Sequence, residues 1–315
     1  MQTYFNQILS KKINPSKTNN LLVAISGGQD SLSLIKILGQ FEKKNNIQNI
    51  EYIYIDHQWK QKSKQQTIHL INYLTMNKKI FIYQIEDNCF KEKIARLNRY
   101  QILVEHAIKN DYQFIITGHT QTDRIETFLY KLIRGTSLDG ATSLTLHRKI
   151  NNNLSLFRPL LYINRYYINW FCRKFCLPIW SDQTNHNLSI DRNRMRKELI
   201  PYIQKYFNIK MEIHLAQFLD ICNEENEYIK QNTIKLYIKS RHPFLIALNY
   251  KQIQKQHTIL QKRIIQLFIF HNYNILLTNK CIKNIISIID SNAIFTKLNY
   301  KNLKIMINNC WIYII

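Results

Sequence analysis

Between residues 21 and 133 a short apolar run gives way four times to apolar residues at helical spacing. The runs are LLVAI (21–25), EYIYID (51–56), KIFIYQI (79–85) and QFIITG (113–118). Helical patterns follow them from Leu32, over 60–76, near 91–110 and over 122–133. Continuous apolar runs this short suit strands buried on both faces. Buried strands alternating with helices predict an α/β fold, a doubly wound parallel sheet with helices on either side. In such sheets ligands collect beyond the carboxyl ends of the strands, at the topological switch point.

The pattern changes downstream. No glycine follows Gly140, and prolines stand only at Pro159, Pro178, Pro201 and Pro243. This stretch predicts helices over 163–176, 211–239, 249–270 and 277–290, with short strands at 244–248, 303–307 and 310–315. A boundary near Phe207, after the basic run RNRMRK (192–197) and Pro201, divides the chain into a domain of residues 1–207 and a smaller, mainly helical one of 208–315. No apolar run approaches the roughly 18 residues of a membrane span, and MQTYFNQILSKK lacks a continuous apolar signal core. The six cysteines (Cys89, Cys172, Cys176, Cys222, Cys281 and Cys310) form no C-x-x-C pair and are expected reduced. Cys172 and Cys176, four apart, read as one helix core.

Charge narrows the partners. Lys and Arg number 44 against 21 acidic residues, a formal charge of +23, with +9 in residues 1–150 and +14 in 151–315. Such a field draws polyanions, nucleic acid first, and the second half is the more basic. Drift of composition toward Lys, Asn, Ile and Tyr would raise the charge without purpose, so chemistry must come from motifs.

Two of the chain's six glycines stand together in LLVAISGGQDS (21–31). A strand ending in Ser26-Gly27-Gly28 and turning at once into a helix leaves backbone N–H groups pointing outward, an anion cradle. Residues without Cβ let the backbone approach a phosphate, and Ser26 and Ser31 add hydroxyls. The G-x-x-x-x-G-K-[ST] loop is excluded, because no Lys lies between Ser26 and Ser33, and G-x-G-x-x-G does not match. Asp30 inside the cradle suggests a phosphate chain held partly through Mg²⁺, since a bare carboxylate would repel it. Asp56-His57 ends the second strand at its carboxyl edge, close to where the nucleotide should lie. IARLNRY (94–100) puts Arg96 and Arg99 on one helix face, as a ligand contact or a solvated salt-bridge face. TGHTQTDRIET (117–127) repeats the strand-glycine-helix design, with His119 before the helix and Asp123 and Glu126 three apart on it. Acids at the carboxyl edge of a parallel sheet point to ligand binding.

SGGQDS (26–31) resembles the PP-loop of ATP pyrophosphatases. With DH (56–57), ARLNRY (95–100), GHTQTDRIET (118–127), RGTSLDG (134–140), RPLL (158–161), WSDQTN (180–185) and DRNRMR (191–196), the chain resembles the tRNA(Ile)-lysidine synthetase family over about 175 residues. Thr122 stands where that family commonly has the first of two aspartates, and Arg124 where it has a glutamine. The resemblance implies ATP held by Ser26, Gly27, Gly28, Gln29, Asp30 and Ser31, with Asp56, His57, Arg99 and His119 around it and Mg²⁺ at Asp30. It implies that Asp123 and Glu126 orient free L-lysine, one of them accepting a proton or pairing an ammonium group, and that lysine is joined to C2 of the wobble cytidine of tRNA(Ile) with a CAU anticodon. The C2 oxygen, unable to leave as oxide, is first adenylated and leaves as AMP. Arg192, Arg194, Arg196 and Lys197 are candidates for tRNA phosphates, or for a helix face balancing nearby acids. No membrane partner is expected, and a homodimer stays open. Composition suggests a plastid, or otherwise a bacterial cytoplasm. A cytidine thiolase would want spaced cysteine pairs, an amidotransferase a glutaminase domain with no room here; a catalytically silent tRNA-binding protein would need only the charge.

Overall fold

The computed structural model describes residues 2–13, 20–45, 49–56, 63–74, 78–85, 92–180, 187–291, 295–300, 303–308 and 310–314. It divides into two compact units, residues 1–220 and 221–315.

The first unit opens with α1 (Gln2–Lys12) and continues as β1 (Leu21–Ile25), α2 (Gln29–Asn45), β2 (Ile50–Asp56), α3 (Ser63–Leu74), β3 (Ile80–Gln84), α4 (Glu92–Lys109), β4 (Phe114–Thr117) and α5 (Gln121–Ile133). A short α6 (Leu138–Ala141), β5 (His147–Lys149), β6 (Ser155–Phe157), α7 (Arg165–Lys174) and α8 (Asp191–Arg194) follow. A π-turn over Met195–Leu199 joins α8 to α9 (Ile200–Tyr206). The strands form one sheet in the order β3-β2-β1-β4-β6-β5. All pairs are parallel except β5 with β6. The order reverses between β1 and β4, so the loops leaving those two strands face one crevice.

Core formation follows the apolar runs. Leu21, Val23, Tyr52 and Ile116 pack on one face of the sheet with Leu34, Leu38 and Phe41 of α2 and Phe5 and Leu9 of α1. Leu22, Ile53, Ile115 and Leu156 pack on the other with Leu103 and Ala107 of α4. Alternate residues of β1 thus enter opposite layers, which is why its run is apolar throughout.

The second unit begins within a long helix, α10 (Met211–Ser240), and adds β7 (Ala247–Asn249), α11 (Tyr250–Gln254), α12 (Thr258–Tyr273), α13 (Asn279–Asp290), β8 (Phe295–Tyr300), β9 (Leu303–Asn308) and β10 (Trp311–Ile314). Its strands form an antiparallel sheet in the order β7-β10-β9-β8. Ile264, Phe268, Ile285, Ile305 and Ile312 share its core.

Several expectations shift. The division falls at Asp220, not near Phe207, because the first turns of α10 belong to the first unit: Met211 packs with Ile125 and Ile200, and Arg124 pairs with Asp220 at 2.7 Å. The single helix expected over 249–270 is broken at Lys255–His257, where the His257 side chain caps α12 and Gln261 Nε2 donates to the carbonyls of Gln254 and Gln256. Cys172 is buried on α7 as expected, but Cys176 is exposed beyond the helix end with a φ of 45°.

Candidate active site at the β1–β4 crevice

The loop after β1 takes its shape from two glycines with different tasks. Gly27 has a φ of +73°, where a Cβ would be strained and would meet Gln66 Nε2 at 3.3 Å. Gly28 has ordinary φ, and a Cβ there would find only Ser26 Oγ, at 3.8 Å, within 4 Å. Its open side is the approach route to the N-terminus of α2. Gln66 Nε2 donates to Ser26 O at 2.7 Å, Ser31 Oγ donates to Gly28 O at 3.0 Å, and the Trp180 N–H donates to Gly27 O at 3.2 Å. Gly118, leaving β4, lies so close that a Cβ would sit 3.3 Å from Asp30 O. The two strand-end loops therefore touch through backbone.

Asp30 occupies the first turn of α2. Its Oδ2 accepts from Arg165 Nη2 at 2.6 Å, while its buried Oδ1 has no hydrogen-bond partner. Arg165 Nε and Nη1 are likewise buried and unpartnered. Burial pushes the Asp30 carboxyl up to about 6, against the downward pull of Arg165. Unpaired donors and an unpaired acceptor, buried together at a helix N-terminus, are a mixed site for phosphate and cation. Mg²⁺ is commonly held by one or two carboxylates completed by substrate phosphates, so a single free carboxylate oxygen fits that ion when a nucleotide brings it. Among the described residues no cluster of three or more His, Cys, Asp or Glu could hold a metal unaided.

His119 follows β4, its Nδ1 2.9 Å from Thr117 Oγ1. Burial pushes its imidazole down to about 3; Asp123 opposes this, while Arg158, Arg96 and Arg192 add to it. The ring is neutral at pH 7 and offers one N–H rather than a charge.

Thr120 caps α5 reciprocally with Asp123: the Thr120 N–H and Oγ1 donate to Asp123 Oδ2 at 2.9 and 3.0 Å, and the Asp123 N–H donates to Thr120 Oγ1 at 3.4 Å. Asp123 and Glu126 are both buried, at 6% and 1% exposure. Two arginines cross from α8 and the π-turn to meet them. Arg192 Nη2 lies 2.8 Å from Asp123 Oδ1, and Arg192 Nε 3.0 Å from Glu126 Oε2. Arg196 Nη2 donates to Asp123 Oδ1 at 3.1 Å and to Glu126 Oε2 at 2.8 Å. Burial raises the Asp123 carboxyl, but Arg192, His119, Arg165 and the Thr120 N–H outweigh it and hold the group well below the carboxylate range. Burial lowers Arg196, but its bond to Glu126 and the charges of both acids leave it raised.

The π-turn has a local cause. Pro201 has no N–H for the carbonyl four residues back, and its ring crowds that turn. The Ile200 N–H instead reaches Met195 O, five residues back, widening the helix.

The structure thus brings Ser26, Gly27, Gly28, Gln29, Asp30, Ser31, His119, Asp123 and Glu126 to the crevice between β1 and β4. Asp56 is buried at the carboxyl end of β2, and Arg99 is half-buried on α4. His57 and residues 181–185 of the WSDQTN stretch lie outside the described residues. Arg192 and Arg196, expected on tRNA phosphates or as balance for nearby acids, are turned inward onto the acid pair. Arg194 and Lys197 stay exposed, Arg194 pairing with Glu198 at 3.2 Å. Sequence reading missed Arg165, Gln66 and Thr120.

Comparison with known proteins identifies the family. Residues 1–203 match the family described as the PP-loop domain. A chloroplastic tRNA(Ile)-lysidine synthase from Gracilaria tenuistipitata var. liui is 46% identical over 98% of this chain and 97% of its own length. The tRNA(Ile)-lysidine synthase of Nostoc sp. is 39% identical over 78% of this chain and 76% of its own. The chain belongs to the tRNA(Ile)-lysidine synthase family of PP-loop proteins. A U34-tRNA thiolase from Methanococcus maripaludis shares the fold with a TM-score of 0.58 at 14% identity, over 70% of this chain and 79% of that one.

The two departures from the lysidine synthase pattern point away from the acid pair. Thr122 Oγ1 donates to Glu212 Oε2 at 3.2 Å, and Arg124 reaches Asp220, both at the start of α10. Asn164 Nδ2 also donates to Glu212 Oε2, at 2.7 Å. These side chains anchor α5 to α10 and leave Asp123 and Glu126 as the acids that α5 turns to the crevice.

Proposed function

We propose that this chain is a carbon–nitrogen ligase that modifies tRNA(Ile) bearing a CAU anticodon, converting the wobble cytidine to lysidine at the expense of ATP. One observation carries the reading. An anion cradle with unpaired buried donors adjoins, across a single crevice, an acid pair that already holds cationic groups.

The reaction has two steps. The C2 oxygen of the cytidine attacks the α-phosphorus of ATP and pyrophosphate leaves, so that oxygen becomes part of a good leaving group. The lysine side-chain amine, freed of its proton, then forms the C2–N bond as the C2–O bond breaks, and AMP leaves. The loop Ser26–Ser31 and the Arg165 guanidinium hold the phosphates as charge builds on their oxygens. Asp30 Oδ1 would hold Mg²⁺, which supplies charge neutralisation at the phosphates. Neutral His119 donates one hydrogen bond near the nucleotide. Asp123 stays ionised, so its role is to anchor a cationic group of lysine rather than to take a proton. Arg192 and Arg196 fix both carboxylates in place. Arg194 and Lys197 remain candidates for tRNA phosphates. The chloroplastic relatives support a plastid stroma as the location, or the cytoplasm in a bacterium.

The test is transfer of radiolabelled lysine to a CAU tRNA(Ile) transcript with ATP, alongside the methionine tRNAs that share the anticodon. Label on the isoleucine tRNA alone, with AMP and pyrophosphate as products, is expected. ADP and phosphate would refute it. Asp123→Asn should still release pyrophosphate but fail to add lysine; full transfer by that variant removes Asp123 from the lysine site.

A further inference from the structure

Beyond the acid pair, α5 and the α8–π–α9 helix open into a groove of about 630 Å³. Its volume is that of a small-molecule pocket, roughly 300–1,000 Å³. Met195 and Leu199 line it, and Tyr130 and Tyr202 contribute aromatic rings. Tyr202 is 56% and Ile133 68% exposed, apolar surface of the kind that marks an interaction site. The rim is charged. Arg134 lies over the Tyr130 ring at 5.1 Å, and Glu198 is held by Arg194 at 3.2 Å.

Position identifies the occupant. Glu126, Tyr130 and Ile133 are spaced i, i+4 and i+7, on one face of α5. At 1.5 Å per residue the groove begins about 6 Å along the helix from the acid pair. On the other wall, Arg192 and Arg196 reach the acids while Met195, Leu199 and Tyr202 of the same continuous helix line the groove. An RNA strand that delivers one base to the crevice, between the cradle and the acid pair, brings its neighbour here. Apolar walls with aromatic and guanidinium planes take an unstacked base, and a carboxylate on the rim accepts from an exocyclic amine. Uracil offers no such amine. Adenine does, and it follows the cytidine in CAU.

We propose that this groove receives the adenine next to the target cytidine, stacked on Tyr202 with its amine donating to Glu198, so that it reads the second anticodon position. The proposal rests on the tRNA reading above and adds a specificity site to it. A positively charged rim contact to the connecting phosphate falls to Arg134.

The test compares wild type, Tyr202→Ala, Tyr202→Phe and Glu198→Ala on tRNA(Ile) transcripts with CAU and CUU anticodons. Lysine transfer is measured as KM and kcat, tRNA and ATP affinity by direct titration, and oligomeric state by analytical ultracentrifugation. Tyr202→Ala should raise the KM for CAU tRNA roughly 10- to 100-fold, the worth of one base stacked on an aromatic ring. ATP affinity should be unchanged, and Tyr202→Phe should restore the KM. Glu198→Ala should narrow the preference for CAU over CUU. Wild-type KM and preference in both alanine variants would overturn the proposal. So would a change of oligomeric state with tRNA affinity intact, since a second copy of the chain would then be the occupant. Wild-type protein that binds the tRNA but transfers no lysine would overturn the reading of the reaction itself.

Discussion

Replacing Arg165 by Met should destabilise the nucleotide-free protein in a pH-dependent way. Asp30 titrates near 6 in the folded chain, above the roughly 3.9 of a free aspartate. A raised carboxyl contributes stability that is present in full below the unfolded pKa and is lost as pH rises through about 6. At pH 8 the ionised Asp30 still lies about 2.7 kcal/mol below its protonated form, from 1.36 kcal/mol per pKa unit. Arg165→Met removes both its charge and its hydrogen bond, pushes the Asp30 carboxyl further up and erodes that gain, by at most the same amount. At pH 5 Asp30 is mostly protonated, and the same substitution costs only packing and the pull of Arg165 on Asp123, which is felt equally at both pH values. With side chains 21% and 18% exposed, solvent screening trims the difference between the two pH values to about 1–2 kcal/mol. Urea unfolding of wild type, Arg165→Met and Arg165→Met/Asp30→Asn at pH 5 and 8 measures it. The double variant should show no difference between the two pH values attributable to Asp30. Equal losses in Arg165→Met at both pH values would refute the account of this pair.

The glycines should separate: Gly27→Ala costs about 1–2 kcal/mol of stability through its positive φ, whereas Gly28→Ala leaves the urea midpoint unchanged and abolishes ATP binding in a titration. His119→Gln should flatten the acid limb of the stability profile, because a depressed imidazole contributes stability above about 6.5 that is lost as pH falls toward 3. Thr120→Val removes the side-chain cap of α5 and should cost about 1 kcal/mol by thermal denaturation. Arg196→Gln should weaken lysine coupling while pyrophosphate release persists, and wild-type coupling would separate that side chain from the acid pair.

Much of the site was legible because its first-ranked residues lie in two contiguous strings. A strand, a glycine and a helix with an early acid can be read directly from SGGQDS and GHTQTDRIET. The alternation of apolar runs likewise foretold β1 to β4 and the crevice between β1 and β4. Arg165 was invisible because it meets Asp30 across 135 residues of sequence, and nothing local distinguishes it from a solvated arginine. The inward turn of Arg192 and Arg196 was hidden for the same reason: a basic run reads as surface until its acids are found 66 to 73 residues away. Three-residue strands such as β5 and β6 are too short to show a period of two, and β8 follows α13 with no glycine or proline to announce it.

The cradle and the acid pair share one field. Asp123 raises the carboxyl of Asp30 and Arg196 lowers it, while Arg165, bonded to Asp30, in turn helps to hold Asp123 ionised. Three guanidiniums, from Arg165, Arg192 and Arg196, therefore stand against three carboxylates, and neither half is neutralised separately. The Arg165 edge that carries unpaired donors can take a phosphate without releasing Asp30, because its bond to Asp30 uses only Nη2. Among the described residues, the two guanidiniums that meet Asp123 and Glu126 already bridge both carboxylates. Negative charge can thus enter the cradle with the ion pairs intact, whereas a cationic amine must compete with arginines for the acids. That asymmetry favours seating the nucleotide before the amine.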